Sequence, residues 1–432
     1  MGRADQKAVM PPSLDRRTVS AALAALFTTA GASTPVALEA ILKPPGGLPM
    51  ASAGLIARRR NGSAAAKLAG GEAFGPTGQR PFGLDMPFRV ASVSKMIATS
   101  VFVPLAMKTG FDLDADVSGP LGFRLRHPAW PDAAITSRML LTHTSGLRNG
   151  PSYPVPLGHR LSEAFSVDGR HYDAGGWFGP AEHRPGAWFA YADVNFALVA
   201  QLMEHLTGER FDLHMRKALF QPLGLDIGYN WSGVSKAKRA KAAAAVRQVE
   251  GRWAPQVDAS VPAFPLSTLT TSPGADLAAY RPGDNGFVFS PQGGLRLSLM
   301  DMDRLARLFV RHGEGVVTRA ALEAMQTRAW ALDRELPNGD LGGVFQSYGL
   351  GCETPVGTLG PNGDAFFGPG TGDWRGHSGD AYGWMTGLYW NRRDGRTLVW
   401  AVNGMPEKDR PAARNSALTA PEEALLSLAL GA

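Results

Sequence analysis

The chain has 432 residues, of which 44% are hydrophobic and 19% are charged. This balance is typical of a folded globular protein and excludes a low-complexity or highly charged disordered chain. The single cysteine, Cys352, cannot close an intrachain disulfide and offers no cysteine metal site or redox pair. The formal charge of +6 comes from 44 basic and 38 acidic residues, an excess too small at this length to indicate a nucleic-acid partner.

The N-terminal segment has the features of an export signal. The Arg-Arg pair at 16–17 precedes the short apolar run 18–27, and the Ala-Gly-Ala sequence at 30–32 has the small residues that a signal peptidase accepts. We therefore expect a twin-arginine signal over residues 1–32 and a periplasmic protein. The alternative is an N-terminal helix or tail on a cytoplasmic protein. Because the apolar run is about half of the roughly 20 residues that span a bilayer, we expect no stable membrane insertion.

The elements that follow begin with a linker and a hairpin. Pro44–Gly47 predicts a linker over residues 33–49. The apolar run 50–58 predicts a strand that enters a hairpin turn at 58–62. A shorter extended piece is expected at 88–90.

Helical patterns occupy the middle of the chain and strand patterns return near its end. The run 95–107 predicts a buried helix kinked or ended near Pro104, with Gly110 as its stop signal. Further helices are predicted at 194–206, 211–219, 299–310 (capped by Ser298 and Asp301) and 421–430. Strands are predicted at 387–390 and 397–402, joined by a turn at 392–395. Strands at both ends of the chain predict one sheet completed by the two termini.

One tetrapeptide carries the first chemical signal. Ser92 and Lys95 form a Ser-x-x-Lys pattern, which on a helix places both side chains on the same face, so the amine can reach the hydroxyl. The pattern recurs at Ser235 and Lys238, inside the basic run 236–247, where a solvated face is expected. Ser92 differs because it precedes an apolar helix, whose N-terminus offers free backbone N–H groups to an oxyanion. We therefore take Ser92 and Lys95 as the candidate pair.

Two further motifs follow in the chain. Tyr191 and Asp193 open an apolar helix as Tyr-Ala-Asp, and His377-Ser378-Gly379 precedes a strand-like segment. In order and spacing the three motifs make the chain similar to the serine β-lactamase and penicillin-binding protein superfamily, above all to class C β-lactamase-like esterases, amidases and D-aminopeptidases. The resemblance extends over about residues 50–405 and includes the flanking segments 135–147, 222–225 and 290–295.

The resemblance implies an α/β (α+β) fold with one catalytic unit over residues 50–432. An antiparallel sheet formed from both chain ends (about 50–110 and 335–432) would be flanked by helices, with an inserted all-helical subdomain over about 111–334. The site would lie in the cleft between the two parts.

The resemblance also implies roles for the motif residues. Ser92 would be the acylated nucleophile, and Lys95 and Tyr191 would share the removal of its proton. The backbone N–H groups of Ser92 and Asp380 would form the oxyanion hole. His377, where many relatives carry lysine, would donate to the substrate or to Tyr191. Further substrate contacts would come from Asp193, Ser378 and Gly379.

Asp193 departs from the family pattern, which has Asn at this position. Asn195 does not restore the spacing. An ionised Asp accepts hydrogen bonds only, whereas an Asn amide also donates to a substrate carbonyl. An Asp near Lys95 would favour the protonated amine and make Lys95 a poorer base. The resulting hypothesis is that Tyr191 is the general base and that β-lactams with acylamino side chains are poor substrates.

Several other residues have a structural interpretation. His143 is expected to pin a loop near the cleft, and Cys352 to be an inert buried residue. Trp374, Tyr382 and Trp384 either wall an acyl pocket or pack at strand ends. The chain has no Gly-x-Ser-x-Gly or His-Glu-x-x-His sequence, which argues against an α/β-hydrolase and a zinc protease.

The function implied by the resemblance is that of a serine hydrolase that forms an acyl-enzyme on Ser92 without a cofactor or metal. The expected substrates are small esters or amides. Two alternatives stay open: β-lactamase or D-amino-acid peptidase activity, and a non-hydrolytic penicillin-binding or peptidoglycan-sensing protein. The combination of Ser92, Lys95, Tyr191 and His377 favours an enzyme, because a binding protein does not need all four. The oligomeric state is left open.

Overall fold

The computed structural model of the protein describes residues 34–260, 276–339, 344–368 and 372–430. The predicted export signal over residues 1–32 lies outside the described residues and stays a prediction. Within the described ranges, no helix is both long and apolar enough to cross a bilayer.

Thirteen strands and ten α-helices are found in the described part of the chain. The strands are β1 (Ser52–Arg58), β2 (Ala64–Ala73), β3 (Arg80–Pro81), β4 (Phe88–Arg89), β5 (Gly228–Tyr229), β6 (Ala245–Val249), β7 (Arg252–Val257), β8 (Leu295–Leu297), β9 (Trp330–Ala331), β10 (Ser347–Tyr348), β11 (Trp374–Ala381), β12 (Trp384–Asn391) and β13 (Thr397–Asn403). The helices are α1 (Thr34–Leu42), α2 (Val93–Thr109), α3 (Ser118–Leu121), α4 (Ser137–Leu141), α5 (Val194–Thr207), α6 (Phe211–Met215), α7 (Lys236–Ala240), α8 (Leu299–Val310), α9 (Arg319–Gln326) and α10 (Ala420–Leu430).

A six-stranded antiparallel sheet joins the two ends of the chain, as predicted. Its spatial order is β11-β12-β13-β1-β2-β3, so the C-terminal strands meet the N-terminal strands where β13 pairs with β1. The predicted hairpins are present as β1–β2 and β12–β13. The sheet is therefore built from both ends of the described chain.

Both faces of this sheet are covered, which explains its nearly continuous apolar strands. Along β13, Leu398 and Trp400 pack in the cluster that includes α1 and α10, whereas Val399 and Ala401 pack with α8 on the opposite face. Successive side chains of a strand point to opposite faces, so both sets are buried. Gly387 on β12 lets the Trp400 ring approach, because a Cβ there would lie 2.1 Å from it.

Helix α2 carries the first motif and runs longer than predicted. It extends from Val93 to Thr109 and ends at Gly110, whose φ of 71° lets its N–H bond back to Ala106. Pro104 lies inside the helix and does not end it. Val103 and Ala106 around it are fully buried, so core packing outweighs the one hydrogen bond that proline removes.

Two expectations about the organisation of the chain need correction. The segment predicted as a linker, 33–49, contains α1, whose Leu38, Ile41 and Leu42 are buried against the sheet and α10. Their apolar side chains outweigh the Pro-Gly turn signal that follows them. The inserted region over about 111–334 is not all-helical, because it also contains β5 to β9. One of these, β8, pairs with β4 beside Ser92 and so attaches the insert to the sheet region.

Candidate active site

Ser92 is presented by a tight turn between β4 and α2. Ala91 has a φ of 49°, in the left-handed region, and Ser92 is the residue that precedes the first turn of α2. Such backbone conformations are uncommon for alanine and are found at functional sites that the surrounding structure holds in place. Ser92 is partly exposed, while its neighbours on α2 are buried.

Lys95 lies one turn further along α2 and is fully buried. Its Nζ lies 3.0 Å from Ser92 Oγ, 2.6 Å from Asp193 Oδ1 and 2.8 Å from the carbonyl oxygen of Gln292. An ammonium has three protons to donate, and the site offers these three acceptors. Burial lowers the pKa of Lys95, and the charge of Asp193 opposes part of that change.

Asp193 connects Lys95 to the segment that carries Asn149 and Tyr153. Its Oδ1 accepts from Lys95, and its Oδ2 accepts from the Tyr153 hydroxyl at 2.9 Å and from Asn149 Nδ2 at 3.5 Å. The expected contact between Asp193 and Lys95 is therefore present. Asp193 raises the pKa of Lys95, as predicted, but burial lowers that pKa by more.

Tyr191 lies against the same lysine, with Lys95 Nζ 4.7 Å from the centre of its ring. Phe345 stacks on the other side, at 4.6 Å between ring centres. The Tyr191 hydroxyl is buried, and no described protein group completes a hydrogen bond with it, although the nearby Ser92 lowers its pKa in part. Burial raises the pKa of Tyr191 well above 10, and Asp193 adds to this rise. These directions do not favour the phenolate that the Tyr191-base hypothesis needs.

His143 pins the loop that carries Tyr191. It is fully buried, its Nδ1 accepts from the backbone N–H of Ala192 at 3.1 Å, and its ring lies 4.3 Å from that of Tyr191. Asn195 donates to the same nitrogen at 3.1 Å and accepts from Ser145. Both residues therefore support the segment that carries Tyr191, as expected for His143. Asn195 does not supply the amide that the family has at the position of Asp193.

His377 is buried on β11, and its two ring nitrogens bond to groups other than Tyr191. Its Nδ1 donates to the carbonyl oxygen of Ser378 at 2.5 Å, and its Nε2 accepts from the Tyr348 hydroxyl at 2.7 Å. Its ring centre lies 6.2 Å from that of Tyr191. Burial lowers the pKa of His377 to about 3, so the ring is neutral at pH 7. Both ring nitrogens have partners, which leaves neither to bind Tyr191.

Strand β11 runs beside the Ser92 turn at Gly379. A Cβ on Gly379 would lie 2.5 Å from the carbonyl oxygen of Val90 and 3.2 Å from Ala91 Cβ, so only glycine permits this approach. Asp380 is the next residue along β11. The Asp380 side chain points outward and pairs with Arg410. The role of the Ser92 and Asp380 backbone N–H groups as an oxyanion hole stays a prediction.

A buried carboxylate behind β11 was missed by sequence reasoning. Glu353 Oε1 accepts from the backbone N–H of Ser378 at 2.9 Å and from its hydroxyl at 2.6 Å, and Oε2 accepts from Tyr389. Its Oε1 also lies 3.3 Å from His377 Nδ1. Burial raises the pKa of Glu353 to about 7. No motif marks Glu353, so its role emerges only from the pairing of distant segments.

The remaining sequence candidates have structural roles. Ser235 caps α7 and Lys238 pairs with Asp301, so the second Ser-x-x-Lys pattern is not a site. Trp374 and Trp384 are buried, and Trp384 stacks on Phe88, which is core packing. The Cys352 thiol is buried and its pKa is raised to about 12 by burial, as expected for an inert cysteine.

Solved structures with the same fold include hydrolases of several kinds. The chain is similar to EstCE1, a hydrolase with promiscuous acyltransferase activity, with a TM-score of 0.62 and 17% identity over 96% of this chain and 100% of that one. It is also similar to the D-amino acid amidase from Ochrobactrum anthropi SV3, with a TM-score of 0.62 and 16% identity over 91% of this chain and 97% of that one. At these identities the likeness establishes the β-lactamase/transpeptidase fold.

A curated relative matches a shorter region. Monacolin J acid methylbutanoyltransferase from Aspergillus terreus is 29% identical over 164 residues, which are 34% of this chain and 38% of that protein. The match with the family described as Beta-lactamase is far longer and extends over residues 39–420. The fold, the order of the three motifs and this match agree, and the chain belongs to the Beta-lactamase family.

Proposed function

We propose that the protein is a serine hydrolase that cleaves small esters or amides through an acyl-enzyme on Ser92. The observation that carries this proposal is the contact of a fully buried Lys95 with Ser92 Oγ, at 3.0 Å. A buried amine with a lowered pKa is the kind of base that can activate a neighbouring serine hydroxyl.

Lys95 would accept the proton of Ser92 as the hydroxyl attacks. A neutral amine has two N–H groups and one lone pair, and the contacts of Lys95 suit the neutral amine as well as the ammonium. Asp193 and the Gln292 carbonyl accept the two N–H groups, while the lone pair accepts the Ser92 proton. The Ser92 Oγ–carbon bond forms as the carbonyl becomes an oxyanion, and we place that oxyanion near the N–H groups of Ser92 and Asp380.

Tyr191 would protonate the leaving group. Its ring lies 4.7 Å from Lys95 Nζ, its buried hydroxyl lies near Ser92, and its raised pKa keeps it a phenol. As the bond to the alcohol or amine breaks, the phenol supplies a proton to it and regains one from Lys95. Water then attacks the acyl-enzyme by the same steps in reverse, which releases the acid and restores Ser92.

Two features favour simple esters and amides over peptidoglycan-like substrates. His377 is neutral and both its nitrogens have partners, so the third motif lacks a cation for a substrate carboxylate. Asp193 accepts hydrogen bonds where the family amide would also donate to an acylamino carbonyl. Both features count against D-amino-acid peptidase activity and against efficient turnover of acylamino β-lactams.

The chain offers its own control for an experiment on the nucleophile. A fluorophosphonate probe should label the wild type and Ser235→Ala but not Ser92→Ala, because Ser235 has the same motif without a buried lysine. The wild type should also hydrolyse p-nitrophenyl butyrate faster than a chromogenic cephalosporin. Labelling of Ser92→Ala would remove Ser92 as nucleophile. Cephalosporin turnover without esterase activity would contradict the substrate class.

A second candidate function is acyl transfer to an alcohol. It is suggested by the match to a methylbutanoyltransferase and by the fold shared with a hydrolase of promiscuous acyltransferase activity. An acyl-enzyme partitions between water and an alcohol when the cleft binds the alcohol. Adding a small alcohol to the ester assay and quantifying both products measures the partition. A product ratio no higher than the molar ratio of alcohol to water would contradict transferase function.

A further inference from the structure

Three side chains of types that commonly ligate metals lie close together in the segment between α4 and α5, outside the contacts described around Ser92. They are His159, Glu163 and His171, and one ligand atom from each lies within 4.8 Å of the others. His159 Nδ1 is 3.1 Å from His171 Nε2 and 3.8 Å from Glu163 Oε2. The three side chains are only partly buried.

The backbone around each of these residues is anchored. The carbonyl of His159 accepts from Asn285 Nδ2 at 3.2 Å, and Asn285 is itself buried. Glu163 lies on a 3₁₀ turn, where its Oε1 accepts the backbone N–H of Arg160 at 3.0 Å. The N–H of His171 bonds to the carbonyl of Glu163 at 3.3 Å. The group is therefore arranged by the fold before any ligand arrives.

A cationic group already lies against the cluster. Arg170 Nη1 is 3.2 Å from His159 Nδ1, and its Nε is 3.8 Å from Glu163 Oε2. The Arg170 side chain is 69% exposed, so it can leave at little cost. The acceptors of this group thus attract positive charge.

We propose that His159, Glu163 and His171 bind a Zn²⁺ ion, with water as the fourth ligand. Two imidazoles and a carboxylate are ligands that zinc prefers. Tetrahedral zinc, with bonds of about 2.0 to 2.1 Å, separates its ligand atoms by about 3.3 Å. The two distances from His159 Nδ1, 3.1 and 3.8 Å, lie near that value, and the remaining separation, within 4.8 Å, shortens if the partly exposed Glu163 side chain moves inward.

The ion would clamp the loop that leads to the catalytic cleft. Asn285, which holds His159, also donates to the carbonyls of Val155 and Pro156 at 3.0 Å. Tyr153, two residues before Val155, donates to Asp193. Zinc would therefore stabilise a segment next to the site without taking part in the reaction of Ser92.

The test uses the full chain without a histidine tag. Calorimetric titration with Zn²⁺ should show one site per chain, and Co²⁺ should give the visible absorption of a tetrahedral site. His159→Ala, His171→Ala and the near-isosteric Glu163→Gln should each weaken binding by at least about tenfold. The exposed control His205→Ala should bind as the wild type does. Arg170→Ala should bind more tightly, because a competing cation is removed.

Each outcome bears directly on the assignment. A rise in Tm with Zn²⁺ in the wild type and His205→Ala, absent in His159→Ala, supports it. No stoichiometric binding by the wild type overturns it, as does binding that His159→Ala and Glu163→Gln leave unchanged. Circular dichroism of the apo variants distinguishes loss of ligands from loss of fold, and Glu163→Gln retains the acceptor for the Arg160 N–H.

Discussion

Lys95 Nζ and Asp193 Oδ1 lie 2.6 Å apart, although the Lys95 side chain is fully buried and that of Asp193 is 26% exposed. The two residues are 98 positions apart in the chain and come from α2 and the start of α5. The pair therefore couples the nucleophile helix to the inserted region, and it connects the charge of a cleft residue to the basicity of the proposed base.

Asp193→Asn should move the acid limb of the kcat/KM profile for p-nitrophenyl butyrate to lower pH. Asp193 raises the pKa of Lys95, so its removal lowers that pKa further and frees the neutral amine at lower pH. An opposite charge at this distance is worth about 1 to 3 pH units. Cephalosporin turnover relative to the ester should rise. The exposed control Asp132→Asn should leave both unchanged, and an unmoved acid limb in Asp193→Asn would exclude Lys95 as the base.

Tyr191→Phe should distinguish a proton donor from a base. If Tyr191 protonates the leaving group, loss should be about 10² to 10⁴-fold for an alkyl ester or anilide. The loss should be far smaller for a p-nitrophenyl ester, whose leaving group departs without a proton. Equal losses on both substrates would instead indicate a base acting on Ser92, as the sequence-based hypothesis holds. Tyr172→Phe, outside the site, is the control.

Tyr191→Phe should also leave the fold as stable as the wild type, or slightly more stable. Ser92 lies near the buried hydroxyl, but no described protein group makes a well-formed hydrogen bond with it, and removing such a buried group relieves its desolvation penalty. Urea unfolding measures this. A loss of more than about 1 kcal/mol would show that the hydroxyl makes a stabilising contact.

Gly379→Ala should lower kcat/KM by about 100-fold while the protein stays folded. The new Cβ would lie 2.5 Å from the Val90 carbonyl, so β11 or the Ser92 turn has to shift, and displacements of about 1 Å reduce catalysis by this factor. Gly119→Ala is the matched control, because its Cβ would meet no atom within 4 Å. Full activity in Gly379→Ala would show that this approach is not needed.

Glu353→Gln should flatten the pH dependence of stability. Burial raises the folded-state pKa of Glu353 to about 7, above the unfolded value of about 4.3, so the folded state prefers the protonated acid. That stabilisation is complete below about pH 4 and is lost as pH rises through about 7, by up to about 4 kcal/mol. Unfolding free energies at pH 5 and pH 7 measure the difference.

The amide in Glu353→Gln cannot ionise and still accepts from Ser378, so the fall in stability between pH 5 and pH 7 should be smaller than in the wild type. Buried Glu204, whose pKa burial also raises to about 7, leaves part of the slope in both proteins. Glu182→Gln, at an exposed position, should keep the wild-type slope. An unchanged slope in Glu353→Gln would show that Glu353 does not titrate in this range.

Much of the fold was predictable because its signals are local. The helix at 299–310 with its Ser298–Asp301 cap, the stop at Gly110 and the hairpin at 58–62 depend on backbone period and on short-range hydrogen bonds. Signals of this kind are carried by neighbouring residues. The helix at 34–42 was missed because it is stabilised by burial against α10 and the sheet, which no local pattern encodes.

The candidate active site shows the same contrast between local signals and long-range packing. Ser92 and Lys95 were readable as a pair, since one helical turn brings them together whatever the rest of the chain does. The partners of His377 could not be predicted in this way, because Tyr348 and Glu353 reach it only after distant segments pack against β11. Buried polar groups take whichever partners the packed core offers, and those partners set their pKa values. Residue identity therefore supplied the chemical groups, and long-range packing set their orientation and charge.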